Sequence, residues 1–145
     1  MTPDSVEKVQ RSFAHVLPHG DELTEAVFLR LAEAEPRLAP LFPAGSATDR
    51  RRFLIGLAFA VEGLDDVGQM TEGLRALGAL CRCSGIGDDD LAAIRRALLD
   101  TMGQALGGRA RGSLWTAQVR AAWAEATAVI VAAMRQPEAP RRAAA

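Results

Sequence analysis

The sequence predicts an all-α fold in a single domain. Three observations carry that reading. Apolar residues recur at the helical period along almost the whole chain, and no run alternates with the period of a strand. Each periodic stretch is also bounded by Pro, Gly, Ser, Thr or Asp at positions that start or stop helices. At 145 residues, 49% of them apolar, the chain has the length of one domain and enough apolar side chains to fill one core.

The elements follow in order. Thr2-Pro3 starts a helix with Val6, Val9, Phe13 and Val16 on one face. Pro18-His19-Gly20-Asp21 ends it and caps a second helix. There the stripe of Leu23, Val27 and Leu31 is widened by Phe28, so this helix is expected to meet two neighbours. Pro36 opens a short turn of helix ending near Phe42-Pro43, and a small polar loop runs from Ala44 to Thr48. Ser46 and Asp49 are spaced as a capping box for a helix carrying Phe53, Leu57, Ala60 and Leu64, which stops near Gly63. After the turn Asp65-Asp66-Val67-Gly68, a helix is expected from Gln69 to Cys83. Met70, Leu74, Leu77 and Cys81 share its inner stripe, and Cys83 points elsewhere. Gly85 is a natural C-cap. Asp88, Asp89 and Asp90 put negative charge where a helix dipole favours it, ahead of Leu91, Ile94, Leu98 and Met102. Gly107-Gly108 ends that helix. Ser113 is expected to cap a last one, with Val119, Trp123, Ile130 and Met134 on its inner face. The domain so read spans residues 1–136 in six to seven helices, followed by a flexible tail over residues 137–145.

Composition narrows the function classes. A net charge of -1, with both signs interspersed, gives no footprint for nucleic acid or an anionic membrane. The run Arg50-Arg51-Arg52 is too short to change that and reads as a solvated helix face. The first residues lack the basic stretch and apolar core of a signal peptide, and no apolar run is long enough to span a bilayer. A cytoplasmic location is therefore expected. Cys81 and Cys83, two apart on a helix, cannot bridge and read as reduced thiols. No second Cys or His pair completes a zinc site, and the three aspartates fit a helix start better than a metal cluster. There is no Gly-rich phosphate loop, no Gly-x-Ser-x-Gly elbow and no His-Glu-x-x-His pair. The chain reads as a binding protein and not as a hydrolase or phosphoryl transferase.

Three segments in order carry a resemblance. They are Val27-Phe28-Leu29-Arg30-Leu31…Pro36-Arg37-Leu38…Leu41-Phe42-Pro43, then Leu77-Gly78-Ala79-Leu80-Cys81…Gly85-Ile86, then Ala122-Trp123. With the short third helix, they are similar to the globin family, in particular to bacterial single-domain haemoglobins and flavohaemoglobin haem domains, over roughly residues 5 to 135. The resemblance implies the globin fold and haem b as cofactor. It puts Cys81 where the family has the histidine that ligates the iron, while His15 and His19 both fall at the end of the first helix. Phe28 takes the place of the distal tyrosine, Asp49 that of the distal glutamine or histidine, and Leu91 that of the tyrosine bonded to the proximal histidine. Phe53 stands where a smaller aliphatic is usual. Arg52 matches a cation near a haem propionate, and Phe42 is kept. The cofactor-binding set implied is Cys81, Phe42, Phe28, Asp49, Arg52, Phe53, Leu77 and Leu91, with Cys81 on the iron.

Each member also has a plainer reading. Cys81 is an axial thiolate, soft enough to hold ferric iron, or a buried Cys acting as a small hydrophobe. As a nucleophile it is poorly placed, near a helix C-terminus whose dipole disfavours a thiolate. Phe28, Phe42 and Phe53 either wall a flat cofactor or fill its cavity. Asp49 also reads as a cap residue, and Arg52 as a solvated charge. Without a distal tyrosine or glutamine, bound dioxygen would lack its hydrogen-bond donor. The function expected is therefore haem binding through Cys81, with binding or sensing of a small diatomic or redox ligand and a separate reductase as electron donor. The alternative is a haem-free globin fold kept as a regulatory or protein-interaction module. An enzyme, a haem peroxidase or a nitric-oxide reactive protein, stands third, because only Asp49 or Arg52 could serve as its distal polar group.

Overall fold

Six α-helices and three short 3₁₀ segments make up the computed structural model, which describes residues 1–42, 46–107 and 114–137. The helices are α1 (Pro3–Val16), α2 (Gly20–Ala34), α3 (Ala47–Glu62), α4 (Val67–Cys83), α5 (Asp88–Leu106) and α6 (Ala117–Arg135). The 3₁₀ segments Leu17–His19, Pro36–Leu41 and Gly63–Asp66 join α1 to α2, follow α2, and join α3 to α4. No strand occurs among the described residues.

The ends of the helices follow their capping chemistry. The Thr2 hydroxyl accepts the Ser5 amide at 3.2 Å, with Pro3 at the first helical position. Ser46 accepts the Asp49 amide at 3.2 Å, which is one half of the expected capping box; no return bond from the Asp49 carboxylate is found among the described residues. α4 begins two residues earlier than the turn Asp65–Gly68 suggests, because the Asp66 carboxylate accepts the Gln69 amide at 3.1 Å and caps it there. The expected cap at Ser113 lies outside the described residues. The cap found on α6 is Thr116, whose hydroxyl accepts the Val119 amide at 3.1 Å. Pro43, Gly108 and residues 138–145, the bulk of the expected tail, are likewise outside the described residues.

α2 packs on α3 and α5, as the widened stripe of that helix suggests, while α6 receives α1, α4 and α5. The buried side chains fall into two clusters. The larger joins α1, α2, α3, α5 and α6 around Val9, Phe13, Phe28, Leu31, Met102 and Trp123. The smaller gathers Ala60, Met70, Leu74, Ile86, Leu91, Ala133 and Met134. Phe42, Ile94 and Ile130 pack against both, and so mark the seam between them.

Candidate functional site

Of the sequence-predicted residues Phe42 lies at the seam, with Phe28 and Phe53 on the larger cluster and Cys81 and Leu91 on the smaller. From α4, the buried stripe is Met70, Leu74 and Gly78. Here the sequence expectation needs a correction. Leu77 was expected to face inward and is instead exposed. The reason is Gly78. A Cβ at that position would overlap the carbonyl oxygen of Met134, so α4 and α6 meet backbone to backbone there. That contact turns the inner face of α4 onto Gly78 and leaves Leu77 and Leu80 on its flank.

One turn on, Cys81 is half-buried and packs against the smaller cluster, whereas Cys83 is exposed; both are free thiols. Cys81 is held at a well-defined helix end. Its carbonyl accepts the Ile86 amide at 2.8 Å, the Arg82 carbonyl accepts the Gly85 amide at 3.2 Å, and Gly85 has φ 90°. That is a Schellman motif, with the side chains of Ile86 and Cys81 on the same cluster. Burial pushes the Cys81 thiol up from its ordinary pKa, and the positive charge of Arg82 opposes this only in part. The Arg82 guanidinium is itself engaged, donating to the Met134 carbonyl at 3.1 Å and lying 3.5 Å from Asp88. Cys81 is thus a neutral, inward-packed thiol and not an activated nucleophile.

Across the seam stands a cluster of three rings. Phe28 on α2 is 1% exposed. It meets Phe42 at 5.3 Å between centroids and 66° between planes, and Phe53 on α3 at 5.5 Å and 81°. Both are edge-to-face pairs, the favourable arrangement for aromatic quadrupoles. Leu91 is buried in the first turn of α5, within the smaller cluster. Of the predicted set, then, the structure joins Phe28, Phe42 and Phe53 into one wall and places Cys81 and Leu91 with Phe42 on the smaller cluster. Asp49 is half-buried in the first turn of α3, Arg52 is exposed on the same helix, and Leu77 is on the flank of α4. The neighbouring Arg50 is not a free surface charge, since its Nε lies 2.8 Å from the Asp21 carboxylate.

The flanks of α3 and α4 carry exposed apolar side chains: Ile55 and Phe59 on one, Leu77 and Leu80 on the other. The Phe59 ring comes to 3.5 Å from where a Cβ on Gly73 would sit. What the seam offers a soft metal is one sulfur donor, Cys81, beside apolar side chains. No group of three or more His, Cys, Asp or Glu that could hold a metal by themselves occurs among the described residues.

Several partners escaped the sequence. Ile94 and Ile130 read as ordinary core residues and instead sit at the seam. The buried bond from the Trp123 indole to the Ser12 hydroxyl, 2.8 Å, and the pair Arg37–Asp90 span 111 and 53 positions, beyond any local pattern. A Ser beside Phe13 on the inner face of α1 was the available signal for the first.

The family model Globin matches residues 25–134, from within α2 to the last turn of α6. No curated protein matches the chain. No helix among the described residues is long and apolar enough to cross a membrane.

Proposed function

The chain belongs to the globin family, and from that premise we propose that it binds haem b at the seam, with Cys81 as the proximal ligand, and uses it to bind or sense a small diatomic or redox ligand. The observation that carries this reading is the division of the core. The two clusters share Phe42, Ile94 and Ile130 as partly buried neighbours, and half-buried Cys81 packs on the smaller of them. Phe42, Leu91, Ile94 and Ile130 would hold the faces of the group, and Leu77 and Leu80 its edge. Haem would supply an iron centre able to take a small ligand. Cys81 would give up its proton on ligation, since a coordinating thiol is held as the thiolate. Phe28 and Phe53 would exclude water from the far side without offering it a hydrogen bond, which disfavours oxygen storage. Asp49 and Arg52, near the start of α3, are the candidate polar groups for proton transfer, and any electron donor would be a separate reductase.

The test is the absorption spectrum of the protein reconstituted with haemin, for the wild type and for Cys81→Ala and Cys81→His. The expected result is a stoichiometric Soret band in the wild type that shifts or collapses in Cys81→Ala and takes a histidine-ligated form in Cys81→His. Because the thiol pKa is raised, ligation must displace a proton, so below that pKa apparent affinity should rise about tenfold per pH unit in the wild type and far less in Cys81→Ala. No specific uptake by the wild type would overturn haem binding. It would leave the haem-free interaction module, a reading favoured by the way Phe28, Phe42 and Phe53 already satisfy one another.

A further inference from the structure

On the opposite side of α5 from the ring cluster, a groove of about 520 Å³ opens between α5 and α6. Ala92, Arg95, Arg96, Leu99, Asp100 and Gly103 line it from one face of α5, and Trp115, Arg120 and Ala124 from the α6 side. None of the residues assigned to the seam takes part. We propose that this groove is a second ligand site, selective for a phosphorylated aromatic compound of about nucleotide size.

Charge is the first argument. Three guanidinium groups and one carboxylate line the groove, an excess of two positive charges. Arg95 is fixed in place, its Nε donating to the Thr127 hydroxyl at 2.9 Å and one Nη to the Ala124 carbonyl at 2.8 Å. Its other Nη has no acceptor among the described residues. Arg96 and Arg120 have no hydrogen-bond or ion-pair partner among the described residues, although they approach from facing helices. Like charges brought to one cleft without acceptors repel, and an anion between them removes that cost. Forked guanidinium donors match the paired oxygens of a phosphate, and an excess of two charges suits the near-dianionic phosphate monoester better than a carboxylate.

Trp115 is the second, independent argument. Its indole Nε1 lies 3.1 Å from where a Cβ on Gly103 would be, so the absent side chain lets the ring settle against α5 as a wall of the groove. A half-buried indole beside arginines is a stacking surface for a flat ring. The volume lies within the ~300–1,000 Å³ usual for small-molecule sites.

Calorimetry of the purified protein with AMP, adenosine and inorganic phosphate tests the proposal. AMP is expected to bind saturably with one site per chain, and adenosine and phosphate each about tenfold more weakly or worse. The double variant Arg96→Ala/Arg120→Ala should weaken AMP about tenfold or more with an unchanged melting temperature, both side chains being exposed. Trp115→Leu should weaken AMP and leave phosphate unaffected. Cys81→Ala should bind AMP as the wild type does. The proposal is overturned if AMP shows no saturable heat, if adenosine binds as tightly as AMP, or if the double variant is unchanged. Loss of AMP binding in Cys81→Ala would also overturn it, by locating the ligand at the seam, whereas failure of haemin uptake bears only on the seam.

Discussion

The two halves of the core are held together by different means. The larger cluster is closed by packing. Trp123, 1% exposed, lies 6.3 Å from the Phe13 ring, and its indole N–H donates to the Ser12 hydroxyl, which in turn donates to the Lys8 carbonyl at 2.7 Å. No buried side-chain nitrogen or oxygen among the described residues lacks a partner, and five helices share the apolar surface of this cluster. The smaller cluster is narrower and is clipped at its rim by charged side chains. Arg82 binds the Met134 carbonyl and Asp88, Arg135 donates to the Asp88 carbonyl at 3.0 Å, and Asp90 accepts the Gly87 amide at 2.8 Å and pairs with Arg37. On α4 Leu80 is 63% exposed, and on α3 Ile55 is 62% exposed. The contrast is between a half closed by packing and a half clipped by charge, and the proposed haem site lies where the two meet.

The contrast breaks most visibly at Trp123. Trp123→Ala removes the largest fully buried side chain and the indole N–H that the Ser12 hydroxyl accepts. It should cost about 3–5 kcal/mol in denaturant unfolding followed by circular dichroism, with or without haemin present. A cost below about 1 kcal/mol would mean that the larger cluster is not the part that holds the fold.

Gly78→Ala comes next. Its new methyl meets the Met134 carbonyl and must push α4 off α6, at about 1–3 kcal/mol. Because the same contact sets where Cys81 lies against the seam, the variant should lose haemin uptake out of proportion to its stability. An equal loss on both counts would dissolve the distinction between the halves.

Most of the fold was legible in the sequence, because each helix carries both a period and a stop. Val6, Val9, Phe13 and Val16 mark α1, and Gly85 marks the end of α4 with a backbone angle that only glycine adopts at low cost. What failed were choices between neighbours. Leu77 and Gly78 sit side by side, and a period count prefers the larger apolar residue, whereas the packing uses the one with no side chain. Thr116 caps α6 after Trp115 has already been committed to the groove against Gly103 in non-helical backbone, a constraint from another helix. Of the predicted residues, Phe28 and Leu91 lie where their helical stripes put them, buried, and Cys81, Phe42 and Phe53 are half-buried against the core. Asp49 and Arg52 depend on what lies off the stripe, where periodicity is silent. The charged clips of the smaller half and the groove between α5 and α6 arise from pairs of distant helices, so no local pattern announces them.

The smallest effect sharpens the comparison most, because it tests the clips themselves. The Asp90 carboxyl is held below the usual carboxylate range, first by the Gly87 amide it accepts and then by Arg37. A carboxyl lowered in the folded state contributes stability that is complete above the unfolded value, near pH 4, and is lost as pH falls through the folded value. Asp90→Asn keeps the size and part of the hydrogen bonding but not the charge. It should therefore cost about 1 kcal/mol at neutral pH, and the gap from wild type should close as both proteins are titrated below about pH 4. Unfolding curves at a series of pH values would show it. A gap that stays constant with pH would mean that Asp90 acts by shape alone, and the smaller half would then be packed, like the larger one, and not clipped.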